Sequence, residues 1–190
     1  MKATKWKSYS LALIAGMSVL TACSSDDNND NGGNGNNGNG NEIENGTTLK
    51  GTITSDVTLT AGSTYKLSGE YIVEDGATLN IEAGVKIISI YDDIVDYILV
   101  KQGGKINAVG TSSAPIVMTS EKEEPGAWGG IHICGKAHTN AEGGKGSSEI
   151  GGATYGGNDD ADNSGTLKYV RVEYSGYAFD SELEANGITF

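Results

Sequence analysis

Three groups of residues have side-chain types and spacing that could do chemistry. Asp159, Asp160, Asp162 and Asn163 offer hard oxygen donors, and Asp160, Asp162, Ser164 and Gly165 fit the opening positions of a Ca²⁺ loop. The last position of such a loop falls on Arg171, where a bidentate Glu is required, so this is not an EF-hand. Two readings stay open, an improvised Ca²⁺ site and a solvated acidic turn, and the second is the commoner fate of such a segment. His132, Cys134 and His138 are soft or borderline ligands close together in sequence. Zn²⁺ takes three or four protein ligands, however, and Glu142 is the one nearby fourth, so Cys134 reads as an ordinary packed thiol. If 131–134 is a strand, His132 and Cys134 share one face and Ile131 and Ile133 the other. The third group is Tyr169, Arg171 and Glu173, a candidate surface-binding face. Arg171 is the only Arg in the chain, and it points outward if Val170 and Val172 point inward. A plain solvated strand with an Arg171–Glu173 ion pair has the same pattern. No Gly-x-Ser-x-Gly accompanies the two His, which disfavours a nucleophilic-triad hydrolase.

The elements that must position these groups are short and extended. With 29 Gly, 2 Pro and 37% apolar residues in 190, helical bundles are disfavoured, since each interior helical Gly costs about 1 kcal/mol. After residue 46 no window shows a clean helical period. Short apolar runs recur instead at 85–88, 98–100, 116–119, 131–133, 170–172 and 188–190, separated by turn chemistry. Three stretches also superimpose on one template: Leu59, Gly62, Tyr65 and Leu67; Val73, Gly76, Leu79 and Ile81; Val100, Gly103, Ile106 and Ala108. Gly supplies the positive φ of a tight turn, and the apolar-x-apolar pair after it loads one face of a strand. Such repeats predict an all-β chain wound as a solenoid, with Leu59 to Leu67 as its cap or first rung; the alternative is a β-sandwich. The segment 135–165 is the one long irregular stretch, of a length that is usually functional or disordered.

The formal net charge is −12, and Lys2, Lys5 and Lys7 precede Cys23 with no acid among them, so a chain starting at Cys23 is more acidic still. Such a field repels phosphates and argues against a nucleic-acid partner. Those lysines and the apolar residues 11–20 form a signal peptide, too short to cross a hydrocarbon core that needs roughly 20 residues. Leu20, Thr21, Ala22 and Cys23 then resemble the lipobox of bacterial lipoproteins, which implies lipidation of Cys23 and anchoring without spanning. Residues 24–41 hold 2 Ser, 3 Asp, 8 Asn and 5 Gly, the composition of a flexible tether. The opening Ser24, Ser25, Asp26 and Asp27 looks like the export signal that carries Bacteroidota-type lipoproteins to the cell surface. With Cys23 lipidated, Cys134 has no intramolecular disulfide partner.

Residues 76–87, 103–120, 128–131 and 162–174, taken as an ordered series, resemble the right-handed parallel β-helix lipoproteins of Bacteroidota-type bacteria over about residues 50–190. The resemblance implies a right-handed parallel β-helix and an outer-membrane, surface-exposed location, and it transfers no catalytic residue. The expected layout is a signal peptide at 1–22, the lipidated Cys23 and tether at 23–45, and a β-helix at 46–190. The chain stops inside the apolar run 188–190 without a polar cap, so the β-helix is expected to be C-terminally incomplete and the chain a fragment. Two functions fit: a non-catalytic surface role in adhesion, glycan binding or architecture, and a polysaccharide lyase that pairs acid-bound Ca²⁺ with a basic residue, for which Arg171 is the candidate. The expected partners are the membrane, through the lipid anchor, and a polysaccharide or another surface protein. No cofactor beyond the Ca²⁺ option is implied. If the lipobox reading holds, Cys23→Ala moves the protein from the membrane fraction into a soluble or unprocessed pool on fractionation; unchanged membrane attachment contradicts it.

Overall fold

The computed structural model describes residues 41–180 and 183–190; Cys23 and the signal peptide lie outside the described residues. Successive strands wind as stacked coils. The first coil holds β1 (Asn41–Ile43) and β2 (Thr48–Ile53), the second β3 (Val57–Leu59) and β4 (Thr64–Val73). The third holds β5 (Thr78–Ile81), β6 (Lys86–Ser89) and β7 (Tyr97–Val100), the fourth β8 (Lys105–Val109), β9 (Ile116–Ser120) and β10 (Ile131–Ile133). After a projecting hairpin, β11 (Lys145–Ser147) and β12 (Thr154–Gly156), the fifth holds β13 (Gly165–Lys168), β14 (Val170–Val172) and β15 (Ile188–Thr189).

Every ladder between coils is parallel. One face runs β1-β3-β5-β8-β13. The long β4 serves the other two faces: residues 64–67 pair with β6, and 70–73 pair with β7. β2 follows it, with a register shift between Leu49 and Gly51. From there β6, β9 and β14 continue the second face and β7, β10 and β15 the third. Parallel pairing between consecutive coils is the mark of a parallel β-helix and excludes the sandwich, whose hairpins and Greek keys are antiparallel.

Alternation within each strand turns one set of side chains into the coil, and the parallel register stacks that set into columns. Leu79 stands over Ile106 and Ile81 over Ala108, all buried as expected. On the second face Tyr65, Ile87, Met118 and Val172 align, and on the third Val73, Val100 and Ile133. Each fully buried Leu or Ile is worth about 1.5–3 kcal/mol. The outward Asn80 and Asn107 join their amides at 3.2 Å. At the corner between the second and third faces, buried Asp96 accepts hydrogen bonds from the Gly69 amide and, at 2.8 Å, from the Ser89 hydroxyl. Burial pushes its carboxyl up from the ordinary value, while these two donors pull it down.

The sequence template turns out to mark two different corners. Its second and third copies superimpose in space, Val73 on Val100 and Leu79 on Ile106, so the 27-residue step is one coil. The first copy lies at another corner, and its true partners are Ile81 and Ile87, paired with Leu59 and Tyr65. Both corners use the same chemistry, with Gly62, Gly76 and Gly103 all at positive φ, so the pattern alone cannot tell them apart. Leu59 to Leu67 is accordingly the second coil, not the first or a cap. β1 pairs with β3 inside the segment assigned to the tether, because Ile43 reaches the column of Leu59.

Gly165 sits where β13 begins its parallel pairing with β8, in register with Ile106: a Cβ there would lie 1.9 Å from the Ile106 carbonyl oxygen, and φ is +126°. In urea unfolding, Ile106→Ala is expected to cost about 2–5 kcal/mol, whereas Lys105→Ala, on the exposed side of the same strand, stays within about 0.5 kcal/mol. Equal losses at the two positions would contradict the column assignment.

Candidate functional site

The third face differs from the others on its outer side. Register places Ile72, Leu99, His132 and Thr189 in one outward column, and Leu99 is fully buried. The cover is the insert between β10 and β13. Its β11–β12 hairpin is antiparallel, and Ala153 and Tyr155 pack with Ile72, Leu99, Tyr97 and Cys134 in a second small core. Ile150 in the same hairpin is 1% exposed. The stretch 135–165 therefore has structure of its own and shares a small core with the third face.

A single side chain holds the insert at two points: Gln102 Nε2 donates to the carbonyl of Gly135, at its start, and to that of Gly156, at the end of β12, each at 2.8 Å. The acidic segment ties the same place. Asp162 Oδ2 accepts from the Lys136 amide at 2.9 Å and from the Ser164 hydroxyl at 3.1 Å, and Asp160 Oδ1 accepts from the His138 amide at 3.1 Å. Asp159 Oδ1 accepts from the Ala161 amide and Asn163 Oδ1 from the Gly165 amide, two residues on in each case. Asp159, Asp160, Asp162 and Asn163 thus turn their oxygens to separate backbone donors. Among the described residues no three His, Cys, Asp or Glu side chains gather as metal ligands.

The predicted surface residues lie on the second face. Val170 and Val172 pack against the core and Arg171 is exposed, ion-paired with Glu173. Tyr169 takes φ +50°, an uncommon conformation for a bulky residue, while its carbonyl accepts the Ile116 amide at 3.0 Å. Its ring is 52% exposed, with the Lys168 ammonium 5.7 Å from its centre.

Between the insert and the outward side of β10 lies a cavity of about 350 Å³. His132 and Cys134 line it together, as their spacing predicted, and Ile133 lines it too; His138 is not among the lining residues. The opposing wall carries Thr139 and Asn140, Ser147, Ser148 and Glu149 of the hairpin, and the Tyr155 ring. Glu184, Asn186, Thr189 and Phe190 complete it. The His132 Nε2 is 2.9 Å from the Gly129 carbonyl oxygen, which fixes the proton on that nitrogen. Burial holds the imidazole below its usual pKa, opposed by that bond and by the charge of Glu149. Burial also pushes the Cys134 thiol up, against a hydrogen bond with Ser148, so it stays protonated. Hydroxyls, amides, carboxylates and rings around a cavity are recognition chemistry. Sequence reasoning found the His132–Cys134 face and missed the wall across from it. The signal was Ile150, Ala153 and Tyr155, side chains with something to bury in an otherwise polar stretch.

Because the folded-state pKa of His132 lies below its unfolded value of about 6.5, its stabilising contribution is complete above that pH and is lost as pH falls toward the folded value. Between about pH 7.5 and 5 the wild-type melting temperature is expected to drop more steeply than that of His132→Gln. Asp96, raised by burial, acts in the opposite sense and is common to both proteins. Parallel profiles would rule out a buried neutral imidazole.

A comparison with known families matches residues 51–190 to the pectate-lyase-like β-helix domain, over the same stretch in which the coils stack. No curated protein and no solved structure matches the chain. The family match, covering well over half of the chain, agrees with the parallel three-faced winding: the chain belongs to the pectate-lyase-like β-helix domain family.

Proposed function

We propose that this chain is a lipoprotein anchored through Cys23 to the bacterial outer membrane and displayed at the cell surface, where its β-helix binds glycan without cleaving it. The anchor rests on the basic, apolar and lipobox residues of 1–23. The family likeness fits a surface or polysaccharide-related role. The observation that carries the binding reading is the cavity on the lateral surface of the helix, whose wall of Asn140, Ser148, Glu149, Tyr155 and Asn186 is suited to hydroxyl-rich ligands.

A second reading, a polysaccharide lyase, draws on the family likeness and on the exposed Arg171. Against it stand the pairing of that guanidinium with Glu173 and the engagement of Asp159, Asp160 and Asp162 with backbone amides. Residues 41–190 incubated with a panel of neutral and acidic polysaccharides are expected to be retained on at least one in affinity electrophoresis, with no rise in unsaturated-product absorbance. A rise on any substrate decides for the lyase; absence of retention on every member removes the glycan reading.

A further inference from the structure

Charge sorts what the cavity can hold. Of the described residues that line it, none is Lys or Arg, while Glu149 and Glu184 both do. The lining His132 is held neutral between buried elements, so it offers no compensating cation. A ligand carboxylate entering this space would lose water and gain no ion partner, next to two like charges. An uncharged sugar meets the opposite situation. Its hydroxyls both donate and accept, and the wall offers carboxylate and amide acceptors with hydroxyl and amide donors. The half-buried Tyr155 supplies a ring for the apolar C–H face of a pyranose.

We infer that the cavity between β10 and the β11–β12 hairpin is a binding site for an uncharged sugar residue, and that Glu149 and Glu184 make it reject uronates. This deepens the glycan-binding reading and rests on it. The selectivity runs counter to the acidic polymer named in the family's description, and it arises from the insert, which supplies most of the polar wall.

The test uses residues 41–190 in calorimetric titrations with neutral xylo- and galacto-oligosaccharides, oligogalacturonate, and chitosan oligosaccharides, at low ionic strength. Ser147→Trp fills the cavity from an exposed hairpin position; Glu149→Gln removes one charge while keeping the shape. Circular dichroism and melting curves check that both variants fold. The wild type is expected to bind at least one neutral series, with oligogalacturonate at least about tenfold weaker. Ser147→Trp should weaken the neutral ligand at least about tenfold, and Glu149→Gln should narrow the margin against the uronate. Neutral binding that survives Ser147→Trp in a folded protein places the glycan elsewhere: the cavity inference falls while the glycan-binding reading stands. Oligogalacturonate or chitosan binding in the cavity more tightly than the neutral series overturns the uncharged class. No binding by any of the three overturns both.

Discussion

Everything in this molecule depends on backbone hydrogen bonds that leave the coil that makes them. The ladder partners of β5 lie in β3 and β8, one coil before and one after, and the same holds on every face. A coil in isolation therefore satisfies few of its own backbone groups and buries little of its own apolar surface; it is stable because the next coil lies on it in register. This constraint explains why side chains stack in columns and why Leu59, Ile81 and Ala108 must all be apolar although they are far apart in sequence. It also explains why a glycine is needed at 165, where the paired strand comes too close to the Ile106 carbonyl for any side chain.

The same constraint made the fold legible. Inward positions repeat the apolar-x-apolar pattern, and the turn before them repeats its glycine, so strands at 79–81, 98–100, 106–108 and 131–133 could be placed from residue types alone. Coil length was harder to read. Corners with the same glycine turn chemistry occur twice in the second and the third coil, and only the three-dimensional register separates the 27-residue repeat from the shorter corner-to-corner step. The first strand, β1, was hidden for a different reason. Asn41, Glu42 and Ile43 follow a long run of Asn and Gly and offer a single apolar side chain, whose importance comes from the column it joins.

The site was half visible. Alternation in a strand fixes which residues share a face, so His132 and Cys134 were correctly grouped. What stands across from them was not readable, because the insert packs by a few apolar residues in a segment whose composition is that of a loop. The acids of that segment drew attention as potential metal ligands, yet the structure turns each toward a nearby amide. Asp160 and Asp162 thereby join the two ends of the insert. The tyrosine and arginine of the second face lie outward as expected, with the arginine held by Glu173.

The clamp formed by Gln102 separates two design problems. Because one amide group gathers Gly135 and Gly156 onto the helix, the path between these two ends of the hairpin segment carries no obligation to the coil repeat. Loop-closure entropy grows only logarithmically with length, about 0.6 kcal/mol per doubling, so residues can be added or exchanged between the ends at small thermodynamic cost. The scaffold and its recognition wall are thus free to diverge at different rates. Related chains with the same coils are expected to differ most in this one excursion, and with it in what they hold.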